Sequence, residues 1–170
     1  MTREVFWDTL DAAMSAAAFD RAALAGALRD ELLELGEDDD VVDFARHFHD
    51  CRVEAFRWEV WAAAWVAGGG ASEEDFSDFR DWLITLGRAA FDDVLHDPER
   101  LPDHADPAEL RHPYDAEVGH VAFDVYVERT GEDQLPPERF RPHPREPAGR
   151  RWKAEQLAVR YPKLWAFYNR

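Results

Sequence analysis

All ten prolines of this 170-residue chain fall after residue 97. Proline is the strongest helix breaker, so upstream of Pro98 only glycine punctuates the pattern. The apolar spacing there is helical. Phe6, Leu10, Ala13, Met14 and Ala17 share one face of a first helix. Leu24, Leu28, Leu32 and Leu35 mark a second, with Asp20 as its N-cap and Gly36 as its C-cap. The acidic run Glu37-Asp38-Asp39-Asp40 suits the positive end of a third helix. The periodicity carries this helix to about Ala67, where Gly68-Gly69-Gly70 ends it. Ser72 then caps a fourth helix, with Asp75 closing a capping box.

The remainder reads differently. Residues 98–113 hold Pro98, Pro102, Pro107 and Pro113 and are expected to be loop. A fifth helix is predicted from Asp115 to Arg129, closed by Gly131, although Val121 to Val127 also alternates like a strand. Five prolines between Pro136 and Pro147 predict an extended arm. A short C-terminal helix would dock through Trp152, Leu164, Trp165 and Phe167. The expected fold is a single all-α domain of about five main helices: a helical core over 1–97, a loop over 98–113, a helix over 114–131, a Pro-rich arm over 132–149 and an anchor over 150–170.

Apolar residues make up 46% of the chain, with seven Trp and eleven Phe, which is too apolar for disorder. No apolar run approaches the roughly 18 residues of a membrane span, so no membrane partner is expected. With no secretory signal visible and Cys51 the only cysteine, a reducing cytoplasmic setting is expected. The net charge of −16 argues against nucleic acid as a partner, because phosphate contact needs basic patches. The charge is uneven. Residues 1–50 carry four Arg against thirteen Asp or Glu, whereas residues 141–170 carry eight Lys or Arg against two Glu. Such a tail either lies on the acidic body or meets an acidic partner, and the first is the commoner outcome.

Helical spacing places Arg80 on the apolar face with Phe76, Phe79, Leu83 and Gly87. On a continuous third helix, Arg52 and Glu59 would share a face with Phe48, Ala55, Ala62 and Val66. A buried charge is costly unless paired, so a polar cluster is predicted in which Glu59 meets Arg52, Arg80 or both. It is either a pocket with an anion anchor and a carboxylate, or an ion pair fixing helix register, and the second is the more frequent arrangement. Glu73, Glu74, Asp75 and Asp78 form an acidic cluster beside the glycines; it repels phosphate and lacks the spacing of a calcium loop. Trp58, Trp61, Trp65 and Trp82 crowd the same helix pair, as core or as an aromatic surface for a partner. His47 and His49 diverge on a helix, His120 and Asp124 read as a surface pair, and no cysteine pair or nucleophile elbow is present. No metal or other cofactor is implied.

Taken together, Phe6-Trp7, Trp61-Ala62-Ala63-Ala64-Trp65, Gly69-Gly70, Ser72-Glu73-Glu74 and Phe76-x-x-Phe79-Arg80-x-Trp82-Leu83-Ile84-x-x-Gly87 resemble a bacterial family known only as a domain of unknown function, number 4240. Val121 to Gly131 and Tyr161-Pro162-Lys163-Leu164-Trp165 resemble its C-terminal part. The chain departs from that pattern with Ala71 in place of a Cys and Glu73-Glu74 in place of Asp-Asp, which removes a thiol and loosens any metal site. The resemblance implies a small cytoplasmic helical domain and supplies no activity. With no catalytic motif, a lopsided charge and Trp-rich helices, the chain reads as a non-enzymatic interaction or regulatory module with a protein partner. The alternative is a small hydrolase-like or small-ligand-binding protein using Glu59 and Arg80. Oligomeric state is not legible at this level.

Overall fold

A computed structural model of the chain describes residues 1–105 and 116–169. These form nine α-helices rather than five main ones: α1 (Arg3–Ala16), α2 (Arg21–Leu33), α3 (Asp38–Glu54), α4 (Trp58–Gly68), α5 (Glu73–Thr85), α6 (Arg88–His96), α7 (Val121–Thr130), α8 (Leu157–Arg160) and α9 (Pro162–Tyr168). Among the described residues there is no strand, only an isolated parallel bridge between Arg57 and Ala148, so the all-α class holds. No helix among them is long and apolar enough to cross a membrane. Pro107, His112, Pro113 and Asp115, from the expected loop and the start of the expected fifth helix, lie outside the described residues.

The expected third helix is two. Ala55, Phe56 and Arg57 leave the helical path, and Arg57 is extended at φ −135° and ψ 146°. Nothing in the local sequence forces this. The break is held by a distant segment: the Ala148 amide donates to the Phe56 carbonyl at 2.9 Å, and the Trp58 amide donates to the Ala148 carbonyl at 2.9 Å. Those backbone groups are thereby satisfied outside a helix. The expected fourth helix is also divided, at Gly87, whose φ of 89° starts α6. The second helix ends at Leu33, not Gly36. The Leu35 carbonyl beyond it accepts from Arg129 at 2.7 Å. Residues Val121–Thr130 are helix, not strand, and end on Gly131 at φ 75°. Within the stretch expected to be loop, Pro98–Asp103 winds into a 3₁₀ helix.

The chain groups into two compact units, Met1–Cys51 with Asp115–His143, and Arg52–Tyr114 with Pro144–Arg170. In the first, α2 packs on α1 and on α7. Its core contains Phe6, Leu10, Leu28, Leu32, Phe44 and Val125, all nearly or fully inaccessible to solvent. Phe6 lies 4.9 Å from both Trp7 and Phe44, ring centre to ring centre. Asp43 gathers cations: the Met1 ammonium at 2.6 Å, Arg139 at 2.8 Å and Arg46 at 3.1 Å. Burial alone would raise the Asp43 carboxyl, but hydrogen bonds from those three groups outweigh it and hold it at about 2.

In the second unit α4 is central, packed by α5, α6, α9 and the 3₁₀ turn. The small residues Ala62, Ala63 and Ala64 are buried and let neighbours approach closely. Phe79, Leu83, Ile84, Phe91, Leu101 and Leu164 complete the core, each contributing about 1.5–3 kcal/mol of apolar burial. The tail is part of this core through Leu157, Tyr161 and Leu164, whereas Trp165, expected to anchor it, is 37% exposed.

Candidate functional site

The site is built on the start of α4 and the face of α5. Trp58 and Trp61, three residues apart on α4, stack with centroids 5.2 Å apart and planes 3° from parallel. Trp61 stacks on Phe76 of α5 at 4.8 Å and 11°. Phe76 stacks on Phe56 at 6.0 Å and 21°. Four rings therefore run in a row across the helix pair. Hydrogen bonds pin the indoles: Trp61 Nε1 donates to the Ala71 carbonyl at 3.1 Å. Trp152 Nε1 donates to the Trp58 carbonyl at 2.6 Å. The Trp152 ring then meets Trp58 and Trp65 edge-on.

Arg80 is only 6% exposed. Its guanidinium carbon lies 4.9 Å from the Phe56 ring centre and 5.0 Å from that of Phe76, and it donates to the Arg52 carbonyl at 3.0 Å. Burial lowers its pKa to about 10, with the Asp81 carboxylate opposing that shift, so it is charged at neutral pH. Asp81, 3% exposed, takes Arg52 through both carboxylate oxygens. That fork is the geometry in which an arginine–carboxylate pair is strongest.

Arg52 and Arg80 thus share one cluster, but its carboxylate is Asp81. Glu59 stands apart from it: it accepts from the Arg150 amide at 3.2 Å and the Arg160 guanidinium at 3.3 Å. It also packs against Gly149, whose φ is 86°. The predicted meeting of Glu59 with Arg52 or Arg80 required one unbroken helix, and the break at Ala55–Arg57 removes it. Trp82 does not belong to an aromatic surface either. It is 4% exposed and packs 5.3 Å from Phe79, while Trp58, Trp61 and Trp65 are half-buried.

The acidic residues have separate tasks. Asp75 closes the capping box, accepting from the Ser72 amide at 2.8 Å while its own amide donates to Ser72 Oγ at 3.1 Å. Hydrogen bonds donated to its carboxylate by the Ser72 amide and hydroxyl lower its carboxyl pKa. Asp78 is raised by burial and by the charges of Asp81, Glu74 and Asp75. Glu73 lines the groove described next, and Glu74 is exposed. Among the described residues no three His, Cys, Asp or Glu side chains converge as metal ligands.

Over the ring row lies a groove of about 790 Å³, lined by Trp58, Trp61, Phe76, Arg80, Arg145 and Arg151 among others. The Arg151 guanidinium sits 5.0 Å from the Trp58 ring centre, a favourable cation–π placement. A second, more open cleft of about 1140 Å³ adjoins it, sharing Arg151 and lined by Arg150, Trp152, Lys153, Val159 and Arg160. The helical periodicity singled out Trp58, Trp61 and Arg80. It missed Phe56, Asp81 and the arginines that the Pro-rich arm brings back to α4. The signal for the last was the density of Arg among the prolines of residues 141–151.

The fold and this groove define a class: an all-α protein with an aromatic cleft lined by Arg80, Arg145 and Arg151 together with Glu73 and Glu146. Residues 1–128 match the family model described as Protein of unknown function (DUF4240), and the chain belongs to that family. The match takes in the ring row and Arg80 and stops short of Arg145, Arg151 and Trp152. No curated protein and no solved structure matches the chain.

Proposed function

We propose that this protein is a non-enzymatic interaction module that engages another protein through the aromatic groove of its second unit. One observation carries the reading: stacked, half-buried indoles lie beside exposed arginines, Arg145 and Arg151, that have no acidic partner among the described residues. Trp and Arg are the residue types that concentrate binding energy at interfaces. The carboxylates best placed for chemistry are committed elsewhere, Asp81 to Arg52 and Glu59 to Arg160. A second reading, a small anionic ligand in the same groove, is favoured by its volume, which lies within the range of about 300–1,000 Å³ usual for ligand pockets.

The test uses the intact chain. Deleting the tail would remove Leu157, Tyr161 and Leu164 from the core, so point changes are needed. Immobilised wild-type protein, incubated with lysate of the organism that makes it, should retain a protein that the Arg145→Glu/Arg151→Glu variant does not, with unchanged circular dichroism and melting. Retention of the same proteins by both would contradict the groove as the interaction site. A metabolite co-purifying with wild type alone, with no protein retained, would establish the small-ligand reading instead.

A further inference from the structure

The basic tail divides into two populations. Arg141, Arg160 and Lys163 are ion-paired, with Asp50, Glu59 and Asp103. Arg145, Arg150, Arg151 and Lys153 have exposed side chains that pair with no carboxylate among the described residues, in a chain of net charge −16. An acidic chain has no shortage of counter-charges, so four unpaired cations in one stretch of nine residues stand out. They lie at the two clefts that meet at Arg151. The backbone that presents Arg145 and Arg151 is fixed on either side of Ala148 by its bridge to Arg57. The backbone between the two arginines is therefore held in place at Ala148.

From this we infer that the partner presents an acidic linear segment with one aromatic anchor. The inference rests on the interaction reading above and names what that site recognises. The faces of Trp61 are taken up by Trp58 and Phe76, and Trp58 lies between Trp61 and Arg151, so the anchor would pack against the accessible edges of these half-buried indoles. Flanking Asp or Glu side chains would reach Arg145 on one side and Arg150, Arg151 and Lys153 on the other. A carboxylate over Arg151 would also neutralise the cation lying against Trp58, in a partly enclosed site where Coulomb attraction exceeds its value in bulk water. Nucleic acid is a poorer occupant. Four cations fall short of the roughly six to ten phosphate contacts that give a protein strong salt-dependent binding, and the acidic remainder repels a long polyanion. A short segment brings few charges and meets only the local field.

The experiment is a calorimetric titration of the full chain with a synthetic peptide rich in Asp and Glu around a central Phe. Its two controls carry Phe→Ala or every acid replaced by its amide. Binding of the first peptide should weaken about tenfold or more with either control peptide. It should weaken by a similar factor with Arg151→Gln, an exposed change that leaves the melting temperature in place. Raising salt from about 50 to about 300 mM should weaken it further, as charges separated by more than a Debye length are screened. Equal affinity for the amide peptide, no binding of any peptide, displacement of the peptide by a single-stranded oligonucleotide, or a dimer whose dissociation the peptide does not promote would each overturn the inference. An Arg151-dependent protein recovered from lysate together with no peptide binding would leave the interaction module standing and remove the acidic segment.

Discussion

Asp81 supplies the carboxylate of the second unit's arginine cluster. It is buried, and it holds Arg52 by two bonds at the point where Arg80 reaches the Arg52 carbonyl. The Arg52 left behind is partly exposed and regains some hydration, so Asp81→Ala should destabilise the protein by about 1.5–3 kcal/mol in urea unfolding, the usual worth of hydrogen bonds to a charged group. Arg145→Ala, which breaks no pair among the described residues, should stay within about 0.5 kcal/mol. Gly149→Ala is a different case. Its φ of 86° is left-handed, and an added methyl would run into the Glu59 carboxylate. The left-handed backbone alone costs about 1–2 kcal/mol for a residue with a side chain, and Glu59 must also move, so thermal melting should fall accordingly. At this scale the sequence was partly legible. Arg80 stood out because a charge recurred on an apolar face. Asp81, its neighbour in sequence, did not, because a helix turns adjacent residues about 100° apart and the pairing runs to a different helix.

At the scale of elements, caps were readable and breaks were not. Ser72 and Asp75 close their box as spacing predicts, and Ser72→Ala should cost about 1 kcal/mol by loss of the cap. Asp20 likewise caps α2. Helix ends of this kind are written locally, in side chains that bond to amides three residues away or fewer. The division of α3 from α4 is written ninety residues downstream, at Ala148. No local propensity at Ala55-Phe56-Arg57 announces it, and so the face shared by Arg52 and Glu59 on paper does not exist in the fold. Gly87 was visible as a residue, but its place on the Phe76 face disguised its positive φ as continued periodicity. The Pro-rich arm was recognised by composition. What composition could not say was that it returns to α4 and supplies half the groove.

For the molecule as a whole, charge contributes to stability and underlies the proposed binding. In the first unit the Asp43 carboxyl is held at about 2 by the Met1 ammonium, Arg46 and Arg139 despite its burial, against about 3.9 in an unfolded chain. A folded value below the unfolded one means the stabilisation is fully present above about pH 4 and is lost as pH falls towards about 2. Asp43→Asn should therefore flatten the dependence of unfolding free energy on pH between those limits, while changing little of its slope above pH 5, roughly one unit beyond the unfolded value. In the second unit, cations with no carboxylate partner among the described residues meet the aromatic row, and that coincidence is the basis for reading the protein as an interaction module. The most direct measurement places a photo-crosslinking amino acid at Glu146, an exposed position lining the groove, in the full chain expressed in its own organism. Irradiation should join it to one discrete protein, and Arg151→Glu in the same chain should abolish that product. A crosslink pattern unchanged by Arg151→Glu, or no protein product from Glu146 while a control position at exposed Phe19 yields one, would contradict the account.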